Sequence, residues 1–104
     1  MMGDRGIAVL RFPDEYGADL AVYSHWTGSD LKQEVERIAR STNFMRRRDD
    51  ETYAARIVVD QLTKLSRDEE TGFGVFPVLR GRDPESYSDG AVEVTLDLST
   101  GKVS

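Results

Sequence analysis

Residues 6–12 run Gly, Ile, Ala, Val, Leu, Arg, Phe and stop at Pro13, a β-prone stretch that predicts a strand. Residues 13–18 form a turn-rich connector around Pro13, Asp14 and Gly17. Residues 19–25 read as the returning strand of a hairpin, with Leu20, Val22 and Ser24 on one face and Ala21, Tyr23 and His25 on the other. Trp26, Thr27 and Gly28 break it. The period then changes. Leu31, Val35, Ile38 and Ala39 recur at i, i+4, i+7 and i+8 and predict a helix ending near 41–43. Ser29 or Asp30 caps it, and Gln33, three residues after Asp30, completes a capping-box pattern. Residues 44–48 link to a second helix, opened by Asp49 or Asp50, with a stripe of Tyr53, Ala54, Ile57, Val58, Gln61, Leu62 and Leu65. A polar loop leads to a strand at 73–79, where Pro77 requires an edge position or a bulge. After a long loop at 80–90, residues 91–98 alternate, with Val92, Val94, Leu96 and Leu98 inward and Glu93, Thr95 and Asp97 outward. Val103 begins a short last strand. The order is ββααββ. It predicts one α+β domain over 1–104, an antiparallel sheet with two helices packed on one face.

Composition narrows the chemistry. The chain has 104 residues, a net charge of −5, one His and no Cys. Disulfides, thiolate nucleophiles and cysteine metal sites are therefore excluded. A zinc site would need carboxylates beside His25, which is uncommon. No metal, cofactor or catalytic residue is assigned. No apolar run approaches the ~20 residues of a membrane span, so no membrane partner is expected. The apolar stretch 7–10 is too short for a signal-peptide core, and a cytoplasmic location is expected. An acidic chain is poorly suited to coating double-stranded DNA, whose binding rests on phosphate neutralisation.

The charge is uneven. Residues 1–36 and 60–104 each carry a net −4, whereas residues 37–59 carry +3 and hold Arg37, Arg40, Arg46, Arg47, Arg48 and Arg56. Arginine is the side chain suited to a bidentate grip on carboxylate or phosphate. Three stretches are candidates for chemistry. Tyr23, Ser24, His25, Trp26, Thr27 and Gly28 put a phenol, an imidazole and an indole at a strand end. There His25 can bond a ligand and Trp26 can stack on one, unless both serve the core. Arg46, Arg47 and Arg48 precede a helix that carries Tyr53 and Arg56, an arrangement suited to an anion. The plainer alternative pairs these arginines with Asp49, Asp50 and Glu51 on a solvated surface. Glu70, Thr71, Gly72, Phe73 and Gly74 offer backbone amides to a ligand, or simply a turn entering a strand.

In this order, the stretches Tyr23 to Gly28, Arg48 to Ile57 and Glu70 to Gly74 resemble an uncharacterised family of small bacteriophage and bacterial proteins. Members of that family often carry Trp where Arg48 stands and Gly where Thr27 stands. The resemblance implies a phage or mobile-element setting, and hence the cytoplasm of a bacterial host cell.

Three functions compete. The first is a non-catalytic binder of a small anionic, nucleotide-like ligand, sequestering a host immune signal. Its contacts would be Tyr23, His25, Trp26, Arg48, Tyr53, Arg56, Thr71, Gly72 and Gly74. The second is a protein-interaction module that inhibits a host protein through acidic faces and exposed aromatics. The third is a small nucleotide-processing enzyme with His25 as acid or base, the least supported for want of a catalytic signature. The small sheet with a Pro77 edge also leaves area for homo-oligomerisation.

Overall fold

The apolar run from Gly6 to Leu10 is the centre of the sheet. The computed structural model describes residues 5–24, 28–64, 72–79 and 91–104. In it β1 (Gly6–Arg11) buries Ile7, Ala8, Val9 and Leu10, so both of its faces are covered. β2 (Ala18–Ser24) returns antiparallel beside it, with Val9 opposite Ala21. β3 (Phe73–Leu79) lies antiparallel to β2 on the outer side, and β4 (Val92–Asp97) lies parallel to β1. The strand order is β3-β2-β1-β4, a mixed four-stranded sheet. Pro77 sits on an edge strand, as its missing N–H requires.

The parallel β1–β4 pair departs from the expected antiparallel sheet. A hairpin would have made β3 and β4 neighbours; instead they are opposite edges. Two physical reasons account for this. A strand that is apolar at successive positions is buried on both faces and takes a partner on each side. β3 and β4 are also separated by about a dozen positions in sequence, more than the two to five residues of a hairpin loop, so nothing local holds them side by side.

Helices line one face of this sheet. They are α1 (Leu31–Ala39), α2 (Thr42–Arg46) and α3 (Glu51–Thr63). Leu31, Val35 and Ile38 of α1, Phe44 of α2 and Ala54 and Val58 of α3 share a cluster with Ala8, Leu10, Val22 and Leu96. A smaller cluster on the other face joins Ile7, Val9, Ala21, Val78 and Ala91, flanked by Tyr23 and Phe76. No helix among the described residues is long and apolar enough to cross a membrane.

α1 approaches the sheet closely where Gly6 passes Gly28. A Cβ on Gly6 would lie 2.8 Å from Leu31 Cδ2 and 3.0 Å from Gly28 Cα. The predicted capping box does not form. Gly28–Asp30 is already a 3-10 turn, Asp30 has a helical backbone (φ −101°, ψ −3°), and its carboxylate caps no amide. Glu34 and Arg37 pair on the exposed side of α1 at 3.0 Å, and the hydrogen bond, then the charge, raises the pKa of Arg37.

The third helix, α2, occupies what the sequence marks as a link. Ser41 makes the break. Its hydroxyl donates to the Ile38 carbonyl at 2.7 Å, and its oxygen accepts from the Phe44 amide at 3.4 Å. One residue thus closes α1 and caps α2. In α3 the buried line is Ala54, Ala55 and Val58, while Tyr53, expected in the stripe, is 54% exposed. Val92, expected inward, is exposed at the start of an edge strand, while Val94, Leu96 and Leu98 are buried as expected.

Candidate anion-binding site

Phe44, fully buried, fixes α2 against the core. That seating turns Asn43, Arg46 and Arg47 outward, all exposed. The chain then makes one turn, in which the Asp50 amide donates to the Arg47 carbonyl at 2.9 Å. Asp50 occupies the N-cap position of α3, but its carboxylate accepts from the Thr52 hydroxyl at 3.0 Å and no amide. Because Ala54, Ala55 and Val58 face the core, Tyr53 and Arg56 face out beside α2. Asn43, Arg46, Arg47, Arg56 and Ile57 line an open cavity of about 200 Å³ between α2 and α3. At its rim, Arg47 Cζ lies 5.8 Å from the centre of the Tyr53 ring, within cation–π range.

The electrostatics of this cavity are one-sided. Among the described residues the ion pairs are Arg11–Asp14 and Glu34–Arg37. Pairing of Arg46, Arg47 and Arg48 with Asp49, Asp50 and Glu51 is absent there. Three arginines line one concavity, and among the described residues no carboxylate lines it.

Arg48 points elsewhere. Its Nη1 donates to the Thr100 carbonyl at 2.7 Å, across 52 positions of sequence. Its Nε is buried with no hydrogen-bond partner among the described residues. The side chain closes over Gly101, whose φ of +78° suits glycine; a Cβ there would lie 3.5 Å from Arg48 Cδ and 3.6 Å from Phe44 Cε1. A second opening, about 500 Å³ and lined by Met45, Arg48, Asp49, Glu51 and Ser99, carries both signs of charge. The three consecutive arginines therefore do not form one site.

Of the residues picked out by sequence, Tyr53 and Arg56 stand together, and Arg48 stands at the junction behind them. Tyr23 and Gly74 lie on the other face of the sheet. They are register partners and line, with Val75 and Phe76, an opening of about 290 Å³. Gly72 has a φ of +108°, as a turn into β3 requires. A Cβ at Gly74 would meet open space, so the fold itself does not need glycine there. His25, Trp26 and Thr71 lie outside the described residues. Sequence reasoning put Arg46 and Arg47 in the candidate anion stretch but took Arg48 alone of the three as a ligand contact, and it did not single out Asn43. The i, i+3 and i+4 spacing of Asn43, Arg46 and Arg47 would have grouped them had 42–46 been read as a helix.

No family model matches the chain, and neither a curated protein nor a solved structure matches it.

Proposed function

We propose that this chain binds a small anionic, nucleotide-like ligand in the cavity between α2 and α3 and holds it without catalysis. One observation carries the reading: three arginines line one concavity that no carboxylate lines among the described residues, in a chain of net charge −5. Uncompensated guanidinium groups repel one another, and an anion removes that repulsion while gaining charge-assisted hydrogen bonds. Tyr53 adds an exposed aromatic face beside them. The resemblance to phage and bacterial proteins gives this binding a purpose, the sequestration of a host nucleotide signal.

Native mass spectrometry with an added nucleotide mixture tests the reading. The expected result is a stoichiometric complex whose ligand is released chemically unchanged on denaturation. The complex is absent in the Arg46→Gln/Arg56→Gln variant. A released ligand of altered mass would mean turnover, and no complex at all would remove the reading.

A second reading, a module that docks on a host protein, rests on a different region. Val75 and Leu79 are 57% and 55% exposed on β3, an edge strand with no charged residue. An uncharged, apolar edge suits strand addition by a partner.

A further inference from the structure

The cavity's size, its charge and the neutral groups around it differ in what they can recognise. Three arginines, permanently charged, present about +3 to a bound group. A carboxylate carries about −1 and would leave two guanidinium groups uncompensated. A terminal phosphate carries about −1.5 to −2, and a phosphate linked to it adds about one more charge. The volume of about 200 Å³ falls below the roughly 300–1,000 Å³ of pockets that enclose a whole ligand. The cavity holds the charged end of a molecule and leaves the rest outside. Among the described residues that line it, Asn43 is the one neutral polar side chain, and Ile57 offers no hydrogen bond. The Tyr53 ring, 54% exposed with Arg47 already 5.8 Å from its centre, is a flat platform at the rim. Stacking on such a platform accepts any base, because every base has a π-face.

Resting on the reading above, we infer that the site recognises the contiguous phosphates of a nucleoside di- or triphosphate and is indifferent to the base. Arg46, Arg47 and Arg56 take the phosphates. Tyr53 takes the base by stacking alone. Cyclic dinucleotides, whose phosphates are diesters of single charge set apart by sugars, are disfavoured.

Isothermal titration at fixed low ionic strength tests this with pyrophosphate, AMP, ADP, GDP, CDP, UDP and a cyclic dinucleotide. The four diphosphates are expected within about tenfold of one another. They should also bind more tightly than pyrophosphate, by roughly 5- to 150-fold from stacking. Tyr53→Ala is expected to remove that advantage, so that the nucleoside diphosphates then bind no more tightly than pyrophosphate does to the same variant. AMP and the cyclic dinucleotide bind at least about tenfold more weakly than ADP, the least that one lost charge-assisted contact predicts. Selection of one base by more than about 100-fold, beyond what stacking supplies, would overturn the inference and leave anion binding standing. So would a cyclic dinucleotide that outbinds the diphosphates. Absence of binding across the panel, with folding verified by circular dichroism, would overturn both.

Discussion

Arg47 and Arg48 are neighbours in sequence and opposites in use. Arg48 is half-buried, donates to the Thr100 carbonyl and packs on Gly101, so it ties the α2–α3 junction to the end of the sheet. Arg47, with Arg46 and Arg56, is exposed, has no carboxylate partner among the described residues and faces a shared cavity. The comparison teaches that a run of like charges need not be one functional unit. What separates its members is the packing of one apolar residue, Phe44, which sets how α2 is rotated.

The largest perturbation removes that residue. Phe44→Ala is expected to destabilise the fold by about 3–5 kcal/mol in urea denaturation, through lost burial and the cavity left behind. It should degrade both sides of the comparison at once. Gly6→Ala comes next. Its Cβ would press on Leu31 and the Gly28 backbone, at an expected cost of about 1–3 kcal/mol, while the arginine cavity stays intact and anion affinity is retained. A loss of affinity in that variant would tie the cavity to the β1–α1 approach instead. Gly101→Ala should cost about 1–2 kcal/mol, because only glycine adopts φ +78° without strain.

The comparison itself is sharpened by single arginine changes. Arg48→Met is expected to cost about 1 kcal/mol of stability for the lost hydrogen bond, with little change in affinity for pyrophosphate. Arg56→Gln should do the reverse. Stability should stay within about 0.5 kcal/mol, while affinity drops roughly 10- to 150-fold for a lost charge-assisted contact. The same phenotype from both variants would erase the distinction. At the small end, Glu34→Gln breaks an exposed pair on α1 and should cost only about 0.3 kcal/mol.

The sequence made the local features legible and left the distant ones hidden. The hairpin of β1 and β2 and the two faces of β2 follow from turn residues and period-2 alternation. The limits of β3 were read as they stand, and Pro77 marked it as an edge. The helical stripe of α1 buried the expected Leu31, Val35, Ile38 and Ala39. The partner of β4 was not legible, because pairing with β1 is set by a two-sided core rather than by neighbours in sequence. Five-residue α2 is too short to display a period, so its helical face was missed, and with it the place of Asn43 and the separation of Arg46 and Arg47 from Arg48. The direction of Arg48 depends on a glycine turn 52–53 positions away. Tyr53 looked like part of the stripe because a wide apolar face does not reveal its own edges.

The most direct test of the account is a thermal-denaturation comparison in pyrophosphate between the wild-type chain and the Arg46→Gln/Arg56→Gln variant. A ligand that binds only the folded chain at 100 times its Kd adds about 2.7 kcal/mol of stability. The account predicts a clear rise in Tm for the wild type and none for the variant, with equal Tm values for both in its absence. An equal rise in both proteins, or no rise in either, would contradict it.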